Sequence, residues 1–104
     1  MQVAEVLKEI RPRLEQAFGP RFRGVLLYGS RARGDAGPDS DMDLMVLLEG
    51  PINLLGDIKT AVDATYPLQL EVDFPFNMVP ADVRDFESQE FGLHRSAKQE
   101  GILL

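Results

Sequence analysis

Residues 29–44 read Gly-Ser-Arg-Ala-Arg-Gly-Asp-Ala-Gly-Pro-Asp-Ser-Asp-Met-Asp-Leu, and this stretch decides how the chain is interpreted. It follows one apolar segment, residues 24–28, and runs into a second, residues 42–48. The lengths of both segments are typical of buried strands. Between them, residues 29–40 contain three Gly and one Pro, which predict a turn or loop. The sequence therefore predicts a polar loop that joins two buried strands.

The rest of the chain adds predicted helices and one more strand. Apolar residues recur at helical spacing over residues 2–18 and 54–66, and Pro12 is expected to bend the first of these helices. Apolar and polar residues alternate over residues 68–74, which predicts a strand, and Pro80 is expected to open a helical tail. This order of elements predicts an α+β (α/β-like) fold with a small three-stranded mixed sheet packed against helices.

Length and composition restrict the class of protein. The 104 residues amount to a single domain, residues 1–104. The absence of Cys excludes disulfide scaffolds, thiolate metal sites and Cys nucleophiles, and the single His, His94, argues against a zinc site and is interpreted as a surface residue. The sequence contains neither a signal-peptide core nor a membrane-spanning apolar run, so the protein is expected in the cytoplasm.

The charge of the chain is unevenly distributed. The net charge of −6 argues against a large nucleic-acid interface. Residues 1–34 contain seven Lys and Arg against three Glu, a net charge of +4, whereas residues 35–104 contain four Lys and Arg against fourteen Asp and Glu, a net charge of −10. This asymmetry suggests an anion-binding region next to a cation-binding one.

Paired acidic residues indicate where a cation would bind. Asp41 and Asp43 lie two positions apart at the start of an apolar strand, so both side chains point to one face, with backbones about 6.7 Å apart. Such a pair is also compatible with an ordinary loop end. Glu71 and Asp73, on the polar face of the predicted third strand, would make four acids on one sheet face, and that arrangement favours Mg²⁺ or Mn²⁺. Strand geometry alone does not decide whether Glu71 or Asp73 is the third ligand.

Gly29 and Ser30 follow the first predicted strand directly and form a candidate phosphate-binding turn. Gly29 allows the backbone to approach a ligand closely, and exposed N–H groups with the Ser30 hydroxyl can hold phosphate oxygens. Arg31 and Arg33 add positive charge of a kind that suits phosphate. Gly-Ser is also a common turn dipeptide, and Arg31 could equally face solvent or a structural acid.

The spacing of these residues is more specific than either pair alone. Ten residues separate Ser30 from Asp41, giving G-S-x10-D-x-D between two apolar strands. With the Gly-Ser-Arg-Ala-Arg-Gly of residues 29–34 and the Ser-Asp-Met-Asp-Leu of residues 40–44, the chain resembles nucleotidyltransferases of the DNA polymerase β superfamily. The minimal nucleotidyltransferase group is the best match, and the Val-Asp-Phe of residues 72–74 resembles the third acidic strand of that group.

The resemblance implies a polymerase β-type core and a metal-dependent transfer of a nucleoside monophosphate, AMP from ATP, to a hydroxyl acceptor. It implies that Gly29 and Ser30 bind the β- and γ-phosphates, with Arg31 and Arg33 as further nucleotide contacts. It further implies a two-metal Mg²⁺ site, with Mn²⁺ as an alternative, whose ligands and catalytic residues are Asp41, Asp43 and Asp73.

The resemblance also implies a partner. Minimal nucleotidyltransferases of this type are commonly encoded with a HEPN-domain protein as toxin–antitoxin pairs, in which the nucleotidyltransferase is the antitoxin and adenylylates its partner. The acidic charge and the apolar end at residues 102–104, which suggests contact with another chain or with an edge of the fold, favour a protein acceptor in a homo- or hetero-oligomer. Two alternatives are a non-catalytic binding antitoxin and a small-molecule transferase of the aminoglycoside-modifying kind, for which 104 residues leave little room.

Overall fold

The computed structural model describes residues 1–88 and 92–104, except for the side chains of residues 92–94 and 96, so the predicted surface position of His94 lies outside the described residues. In chain order, its elements are the helix α1 (Val3–Phe18), a single 3₁₀ turn (Gly19–Arg21), the strand β1 (Phe22–Tyr28), the short helix α2 (Ser30–Arg33), the strand β2 (Met42–Leu48), the helix α3 (Leu54–Gln69), the strand β3 (Phe76–Asp82), the helices α4 (Val83–Ser88) and α5 (Gly92–Glu100), and the strand β4 (Ile102–Leu103). No described helix is long and apolar enough to cross a membrane.

The four described strands form one mixed sheet in the order β3-β2-β1-β4, which confirms the α+β class, and β3 and β4 are not among the strands predicted. β1 is antiparallel to β2 and β4, and β2 is parallel to β3. The strand β4 pairs Ile102 with Leu27 and Leu103 with Leu26, and the Leu104 amide donates to the Val25 carbonyl. The apolar end of the chain therefore contacts an edge of the fold itself.

The sheet separates two apolar clusters, because successive strand residues point to opposite faces. One face packs against α1 and α3 and contributes the larger cluster, which includes Val25, Leu27, Leu44, Val46 and Met78. The other face contributes a smaller cluster together with α4 and α5, formed by Leu26, Met45, Leu47, Ala81, Phe86 and Ala97. Asp43 alternates with Met42 and Leu44, so its side chain lies on the α4–α5 face of the sheet.

The predicted strand over residues 68–74 is wrong. α3 continues through Pro67 to Gln69, and residues 70–75 form a turn. In a strand, the alternating apolar residues would all lie on one buried face. Here they do not, because Leu68 is 1% exposed and Leu70 is 67% exposed. The Gln69 side chain closes the turn, since its amide donates to the Phe74 carbonyl at 2.7 Å and its oxygen accepts from the amide of residue 76 at 2.8 Å.

The prediction that Pro80 opens a helix is wrong. Pro80 lies within β3 opposite Val46 instead of opening a helix. β3 is an edge strand of the described sheet, so no described strand pairs with its outer side. The missing N–H of Pro80 therefore costs no hydrogen bond between strands on that side. Pro12 lies within α1, which is a single uninterrupted helix and does not restart there.

A nearly buried ion pair joins the start of β1 to α3. Arg21 donates to both oxygens of Asp57 at 2.9 and 3.0 Å and also to the carbonyls of Glu49 and Pro51, which fixes the far end of β2. The Asp57 side chain is 7% exposed and the Arg21 side chain 38%. The hydrogen bonds from Arg21 hold the pKa of Asp57 below its ordinary value, with the Asn53 amide adding to the effect.

Asp57→Asn is expected to lower the free energy of unfolding by about 2 kcal/mol at pH 7, below the range for fully buried pairs because Arg21 is partly exposed. Because the pKa of Asp57 is lowered in the folded protein, its contribution is present above the unfolded pKa of about 3.9. The difference in the free energy of unfolding between wild type and Asp57→Asn should therefore disappear as the pH falls through the pKa of Asp57 in the folded protein. Urea unfolding from pH 7 to pH 2.5 measures this.

The matched control is Asp63→Asn, which breaks the exposed pair with Lys59 on the same helix. Its cost should stay below about 0.5 kcal/mol at pH 7. Equal losses in the free energy of unfolding for the two variants would mean that burial of Asp57 adds nothing to the stabilisation by its ion pair.

Candidate active site

The structure brings Asp41 and Asp43 together at the start of β2. Asp43 is the second residue of β2, and Asp41 lies immediately before the first residue of that strand. A single amide joins them, because Asn77 Nδ2 donates to Asp41 Oδ2 and to Asp43 Oδ1, each at 3.0 Å. Two carboxylates therefore converge on one point at the edge of the sheet, held by a neutral donor.

Sequence analysis missed Asn77, which lies directly beside Asp43 in the parallel register between β2 and β3. A signal for it was present: Phe76 and Met78 are apolar and alternate with Asn77, which marks a strand with one polar side chain facing out. The alternation over residues 68–74 hides this signal, because it predicts the third strand a few residues upstream.

The structure does not place Glu71 and Asp73 on a strand facing the pair. Both lie in the turn between α3 and β3, and both are exposed. Among the side chains that the structure describes, no three acidic or His residues come together in a group that could hold a metal ion. The expected juxtaposition of four acids on one sheet face is therefore wrong, and the position next to Asp43 carries an amide.

Gly29 lies against the Asp43 carboxylate. Its backbone has φ 74° and ψ −155°, a conformation that only Gly adopts readily. A Cβ at this position would collide with Asp43 Oδ2, so the close approach of loop and carboxylate depends on glycine. The Gly29 carbonyl accepts from the amides of Ala32 and Arg33, which turns the chain into α2.

Ser30 is the first residue of α2 and is half-buried at the surface of this turn. The Gly29 carbonyl accepts from the amides of Ala32 and Arg33, so only the amides that precede them in this four-residue helix could bind a ligand. Gly29, Ser30, Asp41 and Asp43 thus occupy one end of the sheet, as the spacing of the sequence predicts.

The two arginines of the loop are engaged by the protein. Arg31 donates to the Ser40 carbonyl at 2.7 and 3.0 Å and to the Pro38 carbonyl at 3.3 Å, and its guanidinium lies 3.7 Å from the centre of the Phe74 ring. Arg33 forms ion pairs with Asp35 at 3.2 Å and with Glu100 at 3.0 Å. The hydrogen bonds that Arg33 donates to these acids raise its pKa, so it remains fully charged.

Tyr28 flanks the pair on the side opposite Asn77. It is the partner of Asp43 in the antiparallel register between β1 and β2, and it packs on the α4–α5 cluster. Burial raises the pKa of the Tyr28 phenol, and the charge of Asp43 raises it further. A neutral hydroxyl therefore lies beside the carboxylates at physiological pH.

The donor set fits a hard divalent cation. Mg²⁺ prefers oxygen ligands, keeps several waters and is commonly bound by one or two carboxylates together with substrate phosphates. Asp41 and Asp43 supply two such carboxylates next to a turn that can bind phosphate. They fit one ion of a metal–nucleotide complex, and the residue beside Asp43 on β3 is an amide, Asn77.

Comparison with known proteins agrees with this geometry. Residues 7–103 match the family described as "Nucleotidyltransferase domain", so the chain belongs to that family and is a nucleotidyltransferase. This confirms the class expected from residues 29–44.

Relatives with curated descriptions come from Methanocaldococcus jannaschii. "Putative protein adenylyltransferase MJ0604" is 26% identical over 105 residues, spanning 100% of this chain and 99% of that protein. "Putative protein adenylyltransferase MJ0141" is 33% identical over 49 residues, which are 47% of this chain and 50% of that protein.

Among solved structures, one described as a "putative minimal nucleotidyltransferase" superposes with a TM-score of 0.68 at 26% identity, covering 100% of this chain and 97% of that one. A toxin–antitoxin structure with AMP-PNP superposes with a TM-score of 0.65 at 19% identity, covering 92% of this chain and 70% of that one. The expected resemblance to minimal nucleotidyltransferases and the polymerase β-type fold are both confirmed.

Proposed function

We propose that this protein transfers AMP from ATP to a hydroxyl group of a partner protein in the cytoplasm, and that the partner is a HEPN-domain toxin for which this chain is the antitoxin. The relatives described as protein adenylyltransferases support a protein acceptor. The toxin–antitoxin structure with a bound ATP analogue supports a toxin partner. The net charge of −6 supports a protein acceptor over a nucleic acid, whose phosphates it would repel.

The observation that carries the proposal is the contact between Gly29 and Asp43. It joins the turn that would hold the phosphates to the carboxylates that would hold their metal ion, at one end of the sheet. An arrangement maintained only for stability has no need of two adjacent carboxylates, which repel each other, beside a turn restricted to glycine.

In the proposed reaction, the acceptor oxygen forms a bond to the α-phosphorus of ATP. The bond from the α-phosphorus to the bridging oxygen breaks, pyrophosphate leaves with that electron pair, and the hydroxyl proton passes to solvent. The Gly29–Ser30 turn orients the leaving phosphates, and Asp41 and Asp43 hold Mg²⁺. When bound, Mg²⁺ neutralises charge on the phosphates. The contribution of the chain is therefore mainly positioning.

The test is incubation of the protein with ATP labelled at the α-phosphate, Mg²⁺ and lysate of the source organism. The products are separated into protein, RNA and small-molecule fractions. We expect label on one protein, with a mass gain of whole adenylyl units on Tyr, Ser or Thr. Label confined to RNA or to a small metabolite would contradict the protein acceptor, and an aminoglycoside-type acceptor would give the latter result.

A second candidate function is neutralisation of the partner by binding alone. Asn77 favours it, because an amide lies beside Asp43 and the third acid that the resemblance implies, Asp73, lies in an exposed turn. Asp43→Asn separates the two: a binding antitoxin still neutralises the partner in cells with this change, whereas an adenylylating one does not.

A further inference from the structure

We infer that Asn77 limits this site to a single divalent cation, the one that arrives with the nucleotide, and that the chain does not assemble a two-metal centre. The inference rests on the proposed function, since it concerns the metal–nucleotide complex of that reaction. It departs from the two-metal site that the resemblance implies.

The first step is the composition of the sheet around Asp43. Its neighbours across the strands are Tyr28 on β1 and Asn77 on β3, one neutral hydroxyl and one neutral amide. The remaining carboxylate of the site, Asp41, shares its donor with Asp43. A second cation close to the first would therefore have the same two carboxylates and no additional anionic ligand in the described part of the chain.

The second step excludes the nearest acids on β3 and before it. Asp82 is five residues along the strand from Asn77, which is roughly 17 Å, and it is on the opposite face. It is also paired with Arg84 at 3.2 Å. Asp73 lies in the exposed turn preceding the strand. Neither belongs to a described group of three acidic side chains.

The third step is the hydrogen bonding of Asn77. Its Nδ2 donates to both carboxylates at 3.0 Å, so the group that faces the pair from β3 is a neutral amide and not a third anion. This donor lowers the repulsion between Asp41 and Asp43 without a second cation. Asn77 acts as a positioning residue that sets the number of ions.

The experiment is titration with Mn²⁺ in the presence of a non-hydrolysable ATP analogue, with bound ions counted by electron paramagnetic resonance. Wild type should bind one Mn²⁺ per chain. Asn77→Asp should bind two, because it adds a carboxylate beside Asp43. Without metal, Asn77→Asp should unfold at a lower temperature than wild type, and Mn²⁺ should reverse that loss.

The matched control is Asp73→Asn, which should leave the count at one; a count that falls to zero would return Asp73 to the site and overturn the inference. The count in wild type is decisive even if Asn77→Asp fails to fold. Two ions per wild-type chain would overturn the inference and leave the proposed transfer of AMP intact. No metal–nucleotide binding by wild type at all would contradict the proposed function, and this inference with it.

Discussion

Asp43→Asn is expected to lower the rate of nucleotidyl transfer by about a thousandfold or more, and Asp41→Asn should act in the same way. Stabilisation of phosphoryl transfer by a bound metal ion is worth several kcal/mol, and about 4 kcal/mol corresponds to a thousandfold. Both variants keep an oxygen that can accept from Asn77, so the sheet should remain intact. The measurement is the rate of release of labelled pyrophosphate with Mg²⁺ and ATP.

These variants should unfold without metal at a denaturant concentration equal to or above that of wild type. The reason is that each removes one charge from a repelling pair. Asp39→Asn is the matched control, because Asp39 is an exposed acid of the same loop and its loss should leave the rate unchanged. Full turnover by either Asp41→Asn or Asp43→Asn would remove the catalytic assignment of the pair.

Gly29→Ala is expected to impair both the fold and the reaction. The backbone at Gly29 lies in a region that costs other residues about 1–3 kcal/mol, and the added methyl group would collide with the Asp43 carboxylate. Relief of the collision requires the turn to move or the Asp43 carboxylate to rotate away from Asn77, and either change disturbs the site. We therefore expect a loss of about 2–4 kcal/mol in the free energy of unfolding and at least a hundredfold loss of transfer rate.

Gly34→Ala separates the two effects in Gly29→Ala. Gly34 also has positive φ, 83°, but no atom lies within 4 Å of its added Cβ. It should show only the backbone cost of about 1–2 kcal/mol and a near-normal rate. Equal rates for the two variants would mean that proximity of the turn to Asp43 is irrelevant to transfer.

The parts of the site that lie close together in the sequence were predictable. Residues 42–48 form a strand with the predicted bounds, because a continuous apolar run buried on both faces leaves few alternatives. Gly29 and Asp43 were assigned to one site from local spacing, and the structure places them in contact.

What could not be predicted depends on contacts between distant residues. β4 is two residues long and exists because β1 offers an open edge, which no local pattern reveals. Asn77 acquires its place only through the register of β3 against β2. The turn before β3 is closed by Gln69, whose side chain substitutes for backbone partners, so the alternating pattern of residues 68–74 never forms a ladder. At each of these places, contacts between residues distant in the sequence determine the structure, and local secondary-structure propensity does not.

Arg31 has a consequence for the thermodynamics of ligand binding. Through the Ser40 carbonyl and the Phe74 ring, its guanidinium ties the segment that precedes β2 to the segment that precedes β3. The ends of both strands that carry the candidate site are thereby ordered during folding and not on encounter with the ligand. Association then loses less conformational entropy, and more of the interaction free energy is expressed as affinity. Such preorganisation would favour binding of the flexible triphosphate in the proposed reaction.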